Sequence, residues 1–317
     1  MSFRVLGTGS YLPELSVTND DLSKTIDTSD EWIKQRIGIE RRRISTDEST
    51  AEMGYKAALA ALEMSGIKAE ELDLIIAASM TGDTLAPTTA GGIQKLLGAH
   101  CPAFDMNSAC SGFMFALDIA SGYFARGVAK KVLVVGSERI SKIIDWTDRN
   151  TCVIFGDGAG AAVLGEGDGY LASKLFTAGG DDVIKIPTGH DLSPYYKKET
   201  EPGKIFMNGQ ETFKFAVNTI VNDITELAAK AGIALDDITH VVPHQANVRI
   251  IQYAVKRLGI PADKFFVNIQ NYGNTSAASI AIALDELNRN VGLNRGDIIA
   301  MTAFGGGLSS ASCIIRW

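Results

Sequence analysis

The chain has few of the residues that stabilise extracellular proteins, and no segment long enough to span a membrane. Its 317 residues include four cysteines without paired spacing: Cys101, Cys110, Cys152 and Cys313. Sparse, unpaired cysteines are typical of a reducing compartment. No apolar run reaches the roughly 20 residues of a transmembrane helix, and the start, Met-Ser-Phe-Arg-Val-Leu-Gly, lacks the apolar core of a signal peptide. We therefore predict a cytoplasmic protein that does not associate with membranes.

Positive charge and histidine are also scarce. The net charge of −7 argues against general nucleic-acid binding, although a local basic patch could still bind an acidic partner. Of the four histidines, His240 and His244 are the only close pair, and Pro243 prevents a helix across them. The helical zinc geometry, with ligands four residues apart, is therefore excluded, and we predict no metal.

The pattern of apolar residues predicts a layered α/β protein. Short runs at 74–78, 132–135 and 298–301 are typical of strands covered on both faces of a sheet. Helices are predicted at 88–97, 112–126, 210–231, 248–258 and 276–289. Strands that alternate with helices favour α/β layers, and 46% hydrophobic content is enough to bury a large core.

The second half of the chain repeats the order of the first. In the first half a helix ends in Leu97-Gly98, and a strand, Cys110 and another helix follow. In the second half a helix ends in Leu258-Gly259, and a strand, Asn274 and another helix follow. A duplicated unit explains this order better than chance does. We predict two halves, 1–170 and 171–317, with Cys110 and Asn274 at pseudo-symmetric positions in one central cleft.

Cys110 is the candidate nucleophile, because it lies between an apolar strand and an apolar helix. The N–H groups and dipole at a helix N-terminus favour the thiolate, which is the reactive form. Taken alone, such a cysteine is more often a small buried hydrophobe. His244 and Asn274 also follow strands, and each alone has an ordinary structural interpretation. All three in similar settings indicate covalent acyl chemistry.

Several segments along nearly the whole chain resemble the β-ketoacyl-acyl-carrier-protein synthase III family, whose members have the thiolase fold. The segments are 28–33, 36–39, Ser108-Ala109-Cys110-Ser111-Gly112-Phe113, 155–161, Pro243-His244-Gln245-Ala246-Asn247, Gly273-Asn274-Thr275-Ser276 and Ala303-Phe304-Gly305-Gly306-Gly307. The resemblance implies two duplicated halves in an α-β-α-β-α arrangement, a homodimer, and no cofactor besides the acyl-CoA substrate.

The resemblance also implies a reaction. Cys110 would take an acyl group from acyl-CoA, and malonyl-acyl carrier protein would then lose CO₂. His244 and Asn274 would stabilise the resulting enolate, whose carbanion attacks the acyl group. The N–H groups of Cys110 and Gly306 would form the oxyanion hole. A Cys-His-Asn set resembles initiating rather than elongating synthases, so we predict the condensation that starts fatty-acid synthesis.

The same resemblance assigns the substrate-binding residues. Those implied for coenzyme A are Trp32, Arg36, Arg149, Gly209, Ala246 and Asn247. Those implied for the acyl pocket are Ala86 and Phe304. Some relatives have a bulky Phe where this chain has Ala86. The smaller residue leaves open whether the primer is short, or is longer, branched or carboxylated. Many relatives have a Phe-Thr-Trp-Gly-like segment where this chain has Leu308-Ser309-Ser310-Ala311. The resemblance therefore does not predict how side chains pack near the oxyanion hole.

A basic helix face is the predicted docking site for the carrier protein. Lys256 and Arg257 lie seven and eight residues after Arg249, so helical geometry places them on one face. Lys214, on another helix, matches a further basic family position. Such a stripe is often merely solvated. Here it lies close to His244 on an acidic protein, where an acidic carrier protein would be steered.

Two other functions stay open. One is a related condensing enzyme of specialised metabolism that uses another acyl donor or acceptor. The other is a scaffold that only binds acyl-CoA or the carrier protein, which the Cys-His-Asn set and the glycine triplet disfavour. A simple thiolase is disfavoured as well, because Cys313 is not in the glycine-rich context expected of a second catalytic cysteine.

Overall fold

The computed structural model describes residues 2–189 and 193–317. The strands are β1 (Ser2–Tyr11), β2 (Leu15–Thr18), β3 (Arg41–Ile44), β4 (Leu74–Ala78), β5 (Ala103–Met106), β6 (Lys131–Glu138), β7 (Gly158–Gly167), β8 (Tyr170–Thr177), β9 (Ile184–Lys185), β10 (Phe206–Met207), β11 (His240–Pro243), β12 (Ile298–Gly305) and β13 (Ser309–Arg316). The helices are α1 (Asn19–Ser23), α2 (Asp30–Ile37), α3 (Thr50–Ser65), α4 (Thr89–Leu97), α5 (Gly112–Ala125), α6 (Gly209–Ala231), α7 (Val248–Leu258), α8 (Ile269–Tyr272) and α9 (Ser279–Asn290).

Two sheets carry the duplication. The first has the order β1-β7-β6-β4-β5, and the second has the order β8-β13-β12-β11. In each sheet the first two pairings are antiparallel and the third is parallel. In the second sheet a parallel bridge between Val241 and Phe265 takes the place of the fifth strand. The prediction of two duplicated halves is confirmed. The boundary between residues 170 and 171 stays a prediction.

Five layers follow from where the helices pack. Helices α5 and α9 lie between the sheets, because each contacts strands of both. Helices α3 and α4 cover the outer face of the first sheet, and α6 and α7 cover that of the second. The middle layer is strongly apolar, with Phe113, Leu117, Ile280 and Leu284 all at most 2% exposed. The predicted α-β-α-β-α architecture is therefore confirmed.

The repeated Leu-Gly pairs end corresponding helices. Gly98 follows α4 and Gly259 follows α7, with φ angles of 70° and 72°. These left-handed angles favour glycine and stop the helix at the same point in each half. Outside residues 1 and 190–192, no helix is both long and apolar enough to cross a membrane.

Candidate active site

A single cavity of about 1360 Å³ is lined by Cys110, His244 and Asn274. The three residues follow β5, β11 and α8, and the inner helices α5 and α9 begin just after Cys110 and Asn274. The duplicated fold therefore brings Cys110 together with His244 and Asn274, which lie more than 130 positions further along the chain.

Cys110 lies in a short 3₁₀ turn, Ala109–Ser111, that leads into α5. Ala109 has a φ of 46°, a left-handed conformation that is uncommon for alanine. Burial raises the pKa of the Cys110 thiol to about 11, and the nearby charge of Glu138 acts in the same direction. This burial opposes the stabilisation of the thiolate by the helix N-terminus.

His244 follows β11 and is 1% exposed. Its Nδ1 lies 3.0 Å from the Oγ of Ser279, and the same Oγ accepts a hydrogen bond of 2.8 Å from the backbone N–H of Gln245. We assign the Ser279 hydroxyl as the donor to Nδ1, which places the imidazole proton on Nε2. Burial lowers the pKa of His244 to about 3. The ring is therefore neutral and can donate from Nε2.

Asn274 is fixed by its backbone and by its own side chain. Its backbone N–H donates to the Ile154 carbonyl over 2.9 Å, and its carbonyl accepts from the Gly156 N–H over 3.1 Å. The side-chain Oδ1 accepts from the Ser276 N–H over 2.8 Å. This bond assigns the remaining end of the amide as Nδ2, a donor. The site therefore has two neutral donors for a developing negative charge.

The symmetry between the halves relates Asn274 to Asn107 rather than to Cys110. The Oδ1 of Asn107 accepts from the Ala109 N–H over 3.1 Å, as the Oδ1 of Asn274 accepts from the Ser276 N–H. A 3₁₀ turn and an inner helix follow at the same spacing in both halves. The counterpart of Cys110 in this register is Ala277. The predicted pairing of Cys110 with Asn274 is off by three residues, although the predicted shared cleft is correct.

The glycine triplet, Gly305-Gly306-Gly307, packs closely against Cys110. A methyl group on Gly305 would lie 2.8 Å from the Cys110 backbone nitrogen, so only glycine fits there. Gly306 lines the cavity beside it. In the segment that departs from many relatives, the Ser309 hydroxyl lies 2.8 Å from that of Ser111 and donates to the Gly306 carbonyl over 2.8 Å. These bonds tie the triplet to the turn that carries Cys110.

One wall of the cavity is aromatic and cationic. The guanidinium carbon of Arg149 lies 5.2 Å from the centroid of the Trp32 ring, and that of Arg36 lies 5.6 Å from it. The Nη1 of Arg149 also donates to the Asp27 carbonyl over 2.9 Å. The further cavity-lining residues predicted from the resemblance are Gly209, Ala246 and Asn247.

The two predicted acyl-pocket residues lie in different places. Phe304 lines the cavity, and its ring meets that of His244 edge-on at 5.2 Å. Ala86 is exposed and is not among the cavity-lining residues, whereas its neighbour Leu85 is. Residues 85–87 form a bend, so neighbouring side chains there point in different directions, and the residue next to the expected one lines the wall. Leu85 is fully exposed in the single chain.

The predicted basic face is present on the surface. Lys214, Arg249, Lys256 and Arg257 are exposed, and Arg249 also lines the cavity. The opposite side of α7 is buried through Ile250, Ile251, Ala254 and Leu258. The Nη1 of Arg257 donates to Asn218 of α6 over 3.1 Å, one helical turn from Lys214. This bond connects the two helices that carry the exposed cations, and of these cations Arg249 lines the cavity.

Glu138, Ser276 and Ser279 were missed by the sequence analysis. The only signals were an acid at the end of an apolar strand, and hydroxyl residues in the alanine-rich segment after Asn274. Within the described residues, no cluster of histidine, cysteine, aspartate or glutamate side chains could hold a metal ion.

Comparison with known proteins gives a consistent result. Two family models match: 3-oxoacyl-[acyl-carrier-protein] synthase III at residues 104–179, and the C-terminal part of the same family at residues 228–317. A relative from Clostridium acetobutylicum named β-ketoacyl-[acyl-carrier-protein] synthase III is 49% identical, and the match covers 100% of this chain and 99% of the relative. The chain belongs to the β-ketoacyl-[acyl-carrier-protein] synthase III family.

Solved structures of the family have the same fold. The 3-oxoacyl-[acyl-carrier-protein] synthase III of Aquifex aeolicus is 44% identical, with a TM-score of 0.92 and coverage of 99% of this chain and 100% of that one. The enzyme of Thermus thermophilus is 40% identical, with the same TM-score and coverage of 99% and 98%. The chain is therefore an acyl-transferring condensing enzyme of the thiolase fold, as predicted.

Proposed function

We propose that this synthase III family member condenses an acyl-CoA primer with malonyl-acyl carrier protein. The products are a 3-oxoacyl-acyl carrier protein, CoA and CO₂, and the reaction starts fatty-acid synthesis. The observation that carries the proposal is the single cavity lined by Cys110, His244 and Asn274, with an aromatic and cationic wall on one side. The names of the curated relatives favour this reaction over a related one of specialised metabolism.

In the first half-reaction, Cys110 is the nucleophile. Its sulfur attacks the thioester carbonyl, the C–S bond to CoA breaks, and the acyl group stays on the enzyme. The oxygen of the tetrahedral intermediate is stabilised by the backbone N–H groups of Cys110 and Gly306. The close approach of the glycine triplet to Cys110 supports this assignment. Loss of one such donor typically lowers turnover by roughly 100- to 1000-fold.

In the second half-reaction, His244 and Asn274 act on the malonyl thioester. Loss of CO₂ leaves an enolate, whose oxygen accepts hydrogen bonds from Nε2 of His244 and Nδ2 of Asn274. The carbanion then attacks the acyl group on Cys110. A neutral imidazole suits this step because it donates without first being protonated, and burial keeps His244 neutral at physiological pH.

Coenzyme A binds along the wall that carries Trp32, Arg36 and Arg149, with Gly209, Ala246 and Asn247 lining the rest of its path. A flat guanidinium and an indole ring are suited to stack on adenine, and Arg36 is suited to a phosphate. Phe304 bounds the acyl group, and Leu85 replaces Ala86 as the residue that we assign to the pocket wall. Beyond its substrates the enzyme needs no cofactor.

The carrier protein docks on the basic face. The exposed cations Lys214, Arg249, Lys256 and Arg257 attract an acidic protein, and Arg249 leads from this face into the cavity. We further propose that the enzyme is a cytoplasmic homodimer. Fully exposed Leu85 supports the dimer, because a partner subunit would cover it.

The test is a reaction of purified protein with acetyl-CoA and malonyl-acyl carrier protein, followed by mass spectrometry of the carrier. The expected product is a carrier whose malonyl group has lost CO₂ and gained the acetyl group. Asn274→Ala is expected to form the acyl-enzyme and to lose condensation. Asn288→Ala, a remote change at the other end of α9, serves as the control and is expected to condense normally. A carrier left unchanged by the wild type would overturn the proposal.

A further inference from the structure

A buried amide lies directly after His244. The side chain of Gln245 is 1% exposed, and its Nε2 donates to the Pro243 carbonyl over 2.8 Å and to the Phe266 carbonyl over 3.1 Å. Pro243 is the last residue of β11, and Phe266 lies on the segment that leads to α8. The two hydrogens of this amide therefore join the end of β11 to the chain before α8.

The oxygen of the same amide holds the start of α8. Oε1 of Gln245 accepts from the N–H groups of Asn268 and Ile269 over 3.0 and 3.3 Å. The first N–H groups of a helix have no carbonyl partner within it, so they need such an acceptor. One side chain therefore bonds two carbonyls and two N–H groups, on the segments that carry His244 and Asn274.

Helix α8 is a single turn between this amide and Asn274. The Ile269 carbonyl accepts over 2.9 Å from the N–H of the residue that precedes Asn274. Glu286 of α9 holds both ends of the turn, because it accepts from Nδ2 of Asn268 over 2.7 Å and from the hydroxyl of Tyr272. A shift of the start of α8 would therefore shift Asn274, which follows its end.

The other bonds of Asn274 lead to the first half of the chain. Ser276 donates its N–H to Oδ1 of Asn274 over 2.8 Å and its hydroxyl to the fully buried Glu138 over 3.3 Å. The backbone of Asn274 also bonds to the first half. His244 follows a strand of the second sheet, so these bonds alone do not set its distance from Asn274. The amide of Gln245 joins the two segments directly.

We propose that Gln245 is a positioning residue for condensation, whose amide sets the spacing between Nε2 of His244 and Nδ2 of Asn274. This inference rests on the proposed function, in which both groups donate to the enolate oxygen. Among the described residues, His244 and Ala246 line the cavity and Gln245 between them does not, so it acts through its neighbours. Two donors that share one oxygen must be held closely, since a misplacement of about 1 Å can cost about 100-fold in rate.

Acyl transfer to Cys110 does not use this link. None of the four bonds of the Gln245 amide reaches the turn that carries Cys110. That turn is held by the Ser111 and Ser309 hydroxyls, which lie 2.8 Å apart. Loss of the amide should therefore separate the two half-reactions, whereas a general loss of structure would slow both.

The test compares the wild type with Gln245→Met, which keeps the length of the side chain and removes all four bonds. Acylation of Cys110 by acetyl-CoA is measured in a single turnover by intact-protein mass. CO₂ release from malonyl-acyl carrier protein is measured over a range of carrier concentrations. We expect acylation within about twofold of the wild-type rate, a kcat for CO₂ release about 100-fold lower, and an unchanged KM.

Two comparisons separate positioning from stability. Gln94→Met is the matched control in the first half, because Nε2 of Gln94 also donates to a backbone carbonyl, that of Cys101, over 2.6 Å. It should slow neither step. Asn274→Ala removes one of the two donors, so their spacing no longer matters. Adding Gln245→Met to Asn274→Ala should therefore slow the residual CO₂ release by less than about twofold.

Gln245→Asn covers the case in which Gln245→Met does not fold. It keeps an amide that can bond one of the two segments, but it is one methylene too short to bond both. The same split should appear at a smaller size, with kcat for CO₂ release about 10-fold lower and acylation unchanged.

Equal slowing of acylation and CO₂ release in the Gln245 variants would overturn the inference. A raised KM at an unchanged kcat, wild-type rates in the variants, or an additive loss with Asn274→Ala would overturn it as well. Failure of the wild type itself to be acylated or to release CO₂ would overturn the proposed function, and this inference with it.

Discussion

The hydroxyl of Ser279 holds the imidazole of His244 by its Nδ1, at a distance of 3.0 Å. Because Ser279 also begins the inner helix α9, the position of the ring is tied to the central layer of the fold. The same helix begins five residues after Asn274. Helix α9 therefore helps to position both side chains, His244 and Asn274, that act on the malonyl group.

Replacement of Ser279 by alanine is expected to slow decarboxylation about 10-fold, because the ring loses the bond that fixes its tautomer. Acylation of Cys110 should keep its wild-type rate. Both steps are measured separately, by release of CO₂ and by intact-protein mass. Ser312→Ala removes another buried hydroxyl, bonded to Asp223 and Thr302, and should slow neither step. Equal slowing of both steps in Ser279→Ala would argue for a general loss of structure instead.

The buried state of His244 makes stability depend on pH. Its pKa is lowered to about 3 in the folded protein, whereas an unfolded histidine titrates near 6.5. Between these values only the unfolded chain binds the proton, so this contribution is fully present above pH 6.5 and is lost as the pH falls towards 3. From pH 6 to pH 5, wild type should lose about 1.2 kcal/mol relative to His244→Asn. Urea denaturation at each pH gives the free energies of unfolding.

The exposed His100 provides the control for this pH dependence. His100→Asn should follow the wild-type curve of unfolding free energy against pH. Parallel curves for wild type and His244→Asn between pH 7 and pH 5 would show that His244 takes up its proton in the folded protein too.

Trp32 is expected to contribute to CoA binding and not to chemistry. Loss of a stacked aromatic typically costs about 1–3 kcal/mol per base, so Trp32→Ala should raise KM for acetyl-CoA about 10-fold or more. The rate with a short acyl-pantetheine thioester, which has no adenine, should be unchanged. Trp146→Ala is the matched control, since that indole is partly exposed and bonds to the Ser141 carbonyl outside the cavity lining. Equal effects on both thioesters would refute the stacking assignment.

The two halves offer a matched pair for the docking surface. Lys256 lies three residues before the glycine that ends α7, and Lys95 lies three residues before the glycine that ends α4. Lys256→Glu should raise KM for malonyl-acyl carrier protein about 10-fold at low salt, and less at high salt, because surface attraction is screened. Lys95→Glu makes the same change in net charge on the other half. If both variants weaken binding alike, overall charge and not the basic face steers the carrier.

The fold could be predicted from the sequence because its signals are local and occur twice. The apolar runs at 74–78 and 298–301 are strands, and the Leu-Gly pairs end helices where predicted. The segments around Cys110, His244 and Asn274 carried the resemblance, and they meet in one cavity. Each of these features is contained in a short stretch of chain.

Contacts between distant segments could not be predicted in the same way. Ser276 and Glu138 are 138 residues apart, and nothing in either segment indicates the other. The burial that raises the thiol pKa of Cys110 involves distant parts of the chain, and a rule based on the helix N-terminus alone does not include it. The wall residue at Leu85 depends on the path of an exposed loop, which residue type does not determine.

The central claim is that Cys110 carries the acyl group. The most direct measurement is the intact mass of the protein after incubation with a panel of acyl-CoAs, with Cys110→Ser treated in parallel. We predict a covalent adduct of the acyl mass on the wild type alone, located at Cys110 by peptide mapping, and its mass identifies the preferred primer. An absence of adducts on the wild type with every acyl-CoA, or an equal adduct on Cys110→Ser, would contradict the account.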